Sequence, residues 1–345
     1  MTVAAPTADE RLATNTWLGR VLRRPEVGAA IAAVIVFVFF STVTEAFLSA
    51  GGVSTWLESA SLFGIMAVAV ALLMIGGEFD LSAGTMVGTS GLMVGVLTTH
   101  WGVNIWLAVL IALLAAAVVG WLNGVMVMRT RLPSFIVTLG TFFVLQGLNL
   151  AVTKAITGQV SIQGMEDVPG FFDVKWLFGA ELDLGVTTIQ VSVVWWLALT
   201  AAATWVLLRT SIGNWVFAVG GDQNSSRQVG VPLVRTKVGL FMCTAIAAWL
   251  VGMLSLFRTS TVQASTGVGQ EFIYIICAVV GGCLLTGGYG SAIGASLGAL
   301  IYGMTYQGIV FAQWDNNWLK AFLGVMLLAA VLVNNWVRER AGVRR

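Results

Sequence analysis

The sequence predicts an all-α protein, a polytopic transmembrane helical bundle of about ten spans with both termini on the cytoplasmic side. Three observations predict it. Hydrophobic types make up 58% of the 345 residues and charged types only 10%, whereas the water-facing surface of a chain this long takes roughly a quarter charged residues. The apolar residues fall into runs close to the ~20 residues that a helix needs to cross a hydrocarbon core of about 30 Å. Basic residues gather in alternate connections, as the cytoplasmic side of a membrane requires.

Residues 1–26 are polar, carry Arg11, Arg20, Arg23 and Arg24, and read as a cytoplasmic tail. The first apolar run, 27–48, is too long for the core of a cleaved signal peptide and lacks an evident cleavage site, so it is expected to stay as a span. The next two runs, 60–77 and 82–99, are separated by almost no polar spacer. Runs 103–127 and 134–153 flank Arg129 and Arg131. The polar stretch 154–188 contains Glu166, Asp167, Asp173, Glu181 and Asp183, with Phe171, Phe172 and Trp176 among them. It is expected on the outer side, as a loop or short helix on which a partner docks. After the run 189–208, residues 209–236 are basic and glycine-rich, with Arg209, Arg227 and Arg235, and are expected as short helices beneath the membrane. Runs 237–258, 271–286, 291–312 and 318–337 follow, and 338–345 forms a second basic tail with Arg338, Arg340, Arg344 and Arg345.

With ten crossings every basic cluster falls on one side. The other side receives only Lys154, Lys175, Arg258 and Lys320 together with the acidic stretch. Neither polar stretch is large enough for a domain of its own, so 27–337 reads as one transmembrane domain. The net charge of +2 is then a topology signal and gives no reason to invoke nucleic acid.

Forty glycines would weaken the helices of a water-soluble bundle, but in lipid small residues let helix backbones approach closely. Gly290, Gly294 and Gly298 recur every four residues, on one expected helix face. Cys243, Cys277 and Cys283 lie within apolar runs at spacings that match neither a metal site nor a disulfide framework. The single histidine, His100, cannot build a zinc site. There is no G-x-x-x-x-G-K-[ST] phosphate loop and no histidine–carboxylate–nucleophile set. No catalysis, cofactor or metal is expected of this chain.

The most informative segment is Gly76-Gly77-Glu78-Phe79-Asp80-Leu81-Ser82-Ala83-Gly84. Two carboxylates at membrane depth are costly and face a bundle interior or a water-filled cavity. Glycines permit a break that frees backbone groups to line such a cavity, and Ser82 is placed to cap the helix that follows. A short loop at the membrane surface is the alternative. Other polar groups in or beside the spans are Asn123, Thr138, Thr141, Gln146 and Asn149. They suit either a solute pathway or helix–helix hydrogen bonds. Thr138, Thr141 and Asn149 share one helix face by 3.6-residue periodicity.

The glycine–acid segment resembles the G-G-I-D-L-S-V-G-S signature of permeases in the ribose, xylose and autoinducer branch of ABC importers. Asp80, Leu81, Ser82 and Gly84 match it. Glu78 stands where the family has its second glycine. The resemblance continues in order: Asn123-Gly124 before Arg129; Pro133 and Phe135 to Thr141; Gln146-Gly147; Gly220-Gly221-Asp222 through Arg227, Gly230 and Val231; Gly269 and Glu271; and Ala278 to Gly282 with Gly287 to Ser291. It covers roughly residues 60–335. It implies the membrane subunit of an ATP-driven importer for a simple sugar, in the plasma membrane of a prokaryote. It also implies an ABC ATPase that binds the ATP, an extracytoplasmic sugar-binding protein and a second permease copy or homologue. Glu78, Asp80, Ser82, Asn123, Thr138, Thr141, Gln146 and Asn149 would then border the pathway. Asn224-Ser225-Ser226-Arg227-Gln228-Val229-Gly230 has the spacing of the family's E-A-A-x-x-x-G coupling motif, with Asn-Ser-Ser in place of Glu-Ala-Ala and Gly230 retained. A permease for a nucleoside, an autoinducer or a branched-chain amino acid is the nearest alternative. An ion-coupled secondary transporter would expect repeated halves, and the sequence shows no second copy of the Glu78–Asp80 pair. A scaffold without transport leaves the order of motifs unexplained.

Overall fold

A computed structural model describes residues 25–340, apart from 186 and 316. The arginines expected in the two tails lie outside the described residues or, for Arg338 and Arg340, have no described side chains. The ten expected spans correspond to α1 (Pro25–Val43), α2 (Ala50–Ile75), α3 (Ser82–Thr99), α4 (Ile105–Thr130), α5 (Ser134–Thr157), α7 (Val191–Arg209), α10 (Leu233–Thr259), α11 (Gln270–Val280), α12 (Ala292–Phe311) and α13 (Trp318–Arg340). Between them lie α6 (Phe171–Phe178), α8 (Ser211–Gly221) and α9 (Gln223–Gln228). Among the described residues, seven helices are long and apolar enough to cross a membrane: α1, α2, α4, α5, α7, α10 and α12. The other three are α3, rich in glycine and hydroxyls, the 11-residue α11, and α13, apolar over Trp318–Leu328. The chain is a multi-pass helical membrane protein.

Two boundaries differ most from the sequence reading. The second helix begins at Ala50, because Ser49 caps it by accepting from the Gly52 N–H at 3.0 Å. The eleventh helix stops at Val280, where Gly281 and Gly282 close a left-handed end with Gly282 at φ +93°. Gly290 consequently lies outside the helix that holds Gly294 and Gly298. Those two still serve close packing, since a Cβ on either would run into the carbonyls of Gly281 or Cys277 of α11.

The two most enclosed long helices are α2 and α10. They run antiparallel: Arg258 near the end of α10 pairs with Glu58 near the start of α2 at 3.3 Å, and Lys237 near the start of α10 pairs with Glu78 just past the end of α2. The packing around them is reciprocal. α2 lies along α12 as α10 lies along α4, and α11 leans on α2 as α3 leans on α10. Exchanging α2–α5 with α10–α13 thus maps one set of neighbours onto the other. Packing direction repeats while residue identities do not, so no sequence period survives.

Short antiparallel ribbons tie the end of the bundle opposite Glu78. Strand β1 (Ser161–Ile162) pairs with β4 (Val262–Gln263), and β2 (Glu181–Asp183) with β3 (Thr188–Gln190). The acidic stretch is thereby folded onto the helices: Phe171 and Phe178 of α6 pack on Phe257 of α10, and Ser260 donates to Glu166 at 2.8 Å.

Candidate functional site

Two of the apolar helices are broken, and the breaks are built alike. At the end of α2 the Gly77 N–H bonds the Met74 carbonyl at 2.9 Å and the Glu78 N–H reaches back to Leu73 at 3.1 Å. At the end of α11 the Gly282 N–H bonds Val279 at 2.9 Å and the Cys283 N–H reaches Ala278 at 3.0 Å. Both are helix ends of the Schellman kind, which need a left-handed residue, and glycine adopts that conformation without a Cβ penalty.

Past the first break residues 78–81 belong to no helix or strand, although Leu81 already has helical angles, so their backbone N–H groups need partners from elsewhere. The side chains of α5 satisfy them. Ser134 accepts from the Phe79 N–H at 3.0 Å, and Thr138 accepts from the Leu81 N–H at 3.1 Å. The Thr138 hydroxyl also donates to the Ser134 carbonyl at 2.8 Å. It therefore holds the break open and has little capacity left for a solute.

Asp80 is 2% exposed, and its carboxylate terminates a one-way relay of donors. Thr141 donates to the Asn123 side-chain oxygen at 2.6 Å. Asn123 donates through Nδ2 to Ser82 at 3.0 Å. Ser82 donates to Asp80 Oδ1 through its hydroxyl at 2.6 Å and its N–H at 2.8 Å. Such chains polarise one another, and a fully satisfied buried network specifies one arrangement. Four expected site residues from α3, α4, α5 and the break thus meet in one cluster. Gln146 and Asn149 do not join it. They lie farther along α5, where the Asn149 Nδ2 finds no partner among the described residues.

Glu78 has a separate role. Its carboxylate forms an ion pair with Lys237, which is 1% exposed. The pair forms one wall of a polar cavity of about 640 Å³ shared with Arg131, Ser134, Asn224 and Arg227. This cavity lies at the basic end of the bundle and brings the expected coupling segment next to the break.

The coupling segment forms α8 and α9. Asp222 caps α9 by accepting from the Asn224 and Ser225 N–H groups at 2.8 and 2.9 Å. These donors, Ser225 first, hold its carboxyl below the usual carboxylate range. Asn224, Ser225 and Arg227 are exposed, whereas Ser226 is buried and donates to the Asp222 carbonyl at 2.6 Å. The chain turns at Gly230 with φ +83° and leaves Val229 exposed at the tip. At the end of α8 that leads into α9, the pairs Gly76-Gly77, Gly220-Gly221 and Gly287-Gly288 meet. The Gly288 N–H bonds the Ile75 carbonyl at 2.8 Å, and a Cβ on Gly220 would run into that same carbonyl. α8 is therefore seated by backbone contact on the end of α2 and on the glycine loop that follows the break of α11.

One feature escaped sequence reasoning. The stretch after β4 returns alongside α3, with Val262 against Gly91, Thr266 against Gly88 and Gly267 against Gly84. The start of α11 is thereby level with the first turn of α3, and the two N-termini face each other across Gly84, Gly267 and Glu271. Glu271 is 3% exposed and accepts from the Gly269 N–H at 3.0 Å. The positive end of a helix favours a carboxylate there. The available signal was Gly269-Gln270-Glu271 ahead of a short apolar run.

A family model described as "Branched-chain amino acid transport system / permease component" matches residues 52–331. Among curated proteins, the chain is 28% identical to the fructose import permease protein FrcC of Rhizobium meliloti, over 86% of this chain and 81% of that one. It is 29% identical to the ribose import permease protein RbsC of Escherichia coli K12, over 94% and 96%. It is 28% identical to the autoinducer 2 import system permease protein LsrC of Photorhabdus luminescens, over 91% and 90%. No solved structure matches the chain.

Proposed function

The chain belongs to the family of branched-chain amino acid transport system permease components, and on that premise we propose that it is the membrane subunit of an ATP-driven importer for a simple sugar. The observation that carries this reading is near full-length similarity to fructose and ribose import permeases. ATP is bound and hydrolysed by a partner subunit, and this chain binds no cofactor. Two permease chains, identical or homologous, enclose the pathway in the inner membrane of a prokaryote. Both termini, and the stretch 209–236, face the cytoplasm.

Closure of the ATPase pushes on α9, where Val229 offers an apolar knob and Arg227 and Asn224 a polar rim. Movement of α8 then reaches both helix breaks through the contact of Gly220 with Ile75 and Gly288. The Asp80 relay keeps the first break in one geometry, so that it tilts as a unit rather than unravelling. Ser82, Asn123 and Thr141 act through that relay. Gln146 and Asn149 are the members of the expected set with capacity left for sugar hydroxyls. On the outer side the acidic stretch, with Phe172 and Trp176 exposed on α6, receives the sugar-binding protein.

Uptake of labelled fructose and ribose by cells with and without the gene tests the reading. Loss of uptake on deletion, restored by the gene and abolished by ATP depletion but not by a protonophore in ATP-clamped cells, is the expected result. Unchanged uptake of both sugars, with loss of uptake of an autoinducer, would move the substrate to the class named by the third relative.

A further inference from the structure

α7 and α10 both pack on α2 but hardly on each other. The gap between them is an open groove of about 790 Å³ whose floor is Ile65, Val68, Ala69 and Leu72 of α2. Its walls run from Trp195 to Leu207 on α7 and from Arg235 to Leu250 on α10. At 1.5 Å per residue the α7 wall is roughly 18 Å long, more than the ~15 Å that one leaflet contributes to a bilayer core. Gly239 opens onto it: a Cβ there would meet nothing within 4 Å. The lining is apolar except at the basic end of the bundle, where Arg235 and Thr236 stand beside Trp215. Arg235 is exposed and has no ion pair or hydrogen bond among the described residues. The Thr236 hydroxyl is taken by the Pro232 carbonyl at 3.0 Å.

A long apolar slot ending in an unpaired guanidinium, with an indole at the interface, has the chemistry of a lipid site. We propose that this groove holds one acyl chain of an anionic phospholipid whose phosphate sits on Arg235. A free phosphate would leave the slot empty, and an uncharged apolar helix would leave Arg235 unpaired. The guanidinium fork matches phosphate oxygens in a two-pronged way, and basic pockets between membrane helices recognise anionic headgroups. The inference rests on the chain spanning a membrane and not on the identity of the solute. The bound chain would set the spacing of α7, and with it the seat of α8.

Native mass spectrometry of the full-length permease, exchanged into micelles with equal phosphatidylglycerol and phosphatidylcholine, tests the site. Wild type should retain phosphatidylglycerol preferentially. Arg235→Gln should reduce that preference about fivefold, the worth of one basic residue at an anionic surface. Gly239→Leu, whose Cβ would meet nothing within 4 Å and whose side chain would enter the slot, should abolish retention. Cys243 gives an independent readout, because it lines the groove and is exposed while Cys277 and Cys283 are buried. Phosphatidylglycerol should slow its reaction with an apolar maleimide in wild type and leave Arg235→Gln less protected. Equal retention of the two lipids by wild type, or an unchanged preference in Arg235→Gln, would overturn the proposal. So would a Cys243–Cys243 crosslink between two copies in native membranes, which would put a partner helix in the groove.

Discussion

Breaking the Glu78–Lys237 pair one side at a time should cost far more than removing both charges together. Lys237 is 1% exposed and Glu78 7%, and no second acid is paired with Lys237 among the described residues. Glu78→Gln therefore strands a buried ammonium, and Lys237→Met strands a carboxylate. Losing one partner of a buried pair costs about 3–5 kcal/mol, while replacing both with neutral groups of similar volume is often neutral. At about 2 °C per kcal/mol for a large chain, each single variant should melt roughly 6–10 °C lower. The double variant Glu78→Gln/Lys237→Met should recover most of the loss. The assay is thermal unfolding in mild detergent, read by a dye that fluoresces on reaction with Cys277 and Cys283 as they emerge, in a Cys243→Ser background. Single variants that melt with the parent, or a double variant no better than the worse single, would show that the pair is not the constraint described here.

Asp80→Leu removes the acceptor on which the relay from Thr141 converges, and should lower uptake at least tenfold while the protein still reaches the membrane. Asp80→Asn keeps an acceptor and should retain more, and wild-type uptake by Asp80→Leu would reduce the segment to an ordinary turn. Val229→Asp and Gly230→Trp alter only the exposed tip beyond α9, and should leave insertion intact while abolishing receptor-stimulated ATP hydrolysis. Normal stimulation in the assembled variants would remove α9 from the coupling path. In a cysteine-free background, a cysteine at Glu166 should react with an impermeant thiol reagent in intact cells and one at Asp222 should not; the reverse pattern would invert the topology.

The helices were largely legible because each is a run of apolar residues whose length the bilayer dictates. The boundaries that moved were set by local chemistry that hydropathy does not see. Ser49 starts α2 within a run of small residues, and Gly281-Gly282 stops α11 inside apolar sequence. The Asp80–Ser82 segment was legible because two acids and paired glycines are expensive in a membrane. Which of the polar residues would meet was only partly legible. Thr138 and Thr141 share a face of α5, yet one braces the backbone and the other starts the relay. The assignment depends on where α3 and α4 lie. Lys237 went unread as Glu78's partner because 159 residues separate them. Glu271 entered only through the family resemblance and was given no role, because its place opposite α3 is made by a returning segment with no periodicity. The reciprocal packing of α2–α5 and α10–α13 left no sequence repeat, since helix packing in lipid asks only for small residues at the contacts.

Whether the chain works with an ATPase is decided by purifying it, tagged, from native membranes in mild detergent, with its partners identified and ATP hydrolysis measured. Two permease chains with stoichiometric ABC ATPase are expected, and hydrolysis that rises when a sugar-loaded binding protein is added. A chain that purifies without an ATPase, and in proteoliposomes moves sugar on an ion gradient alone, would contradict that expectation.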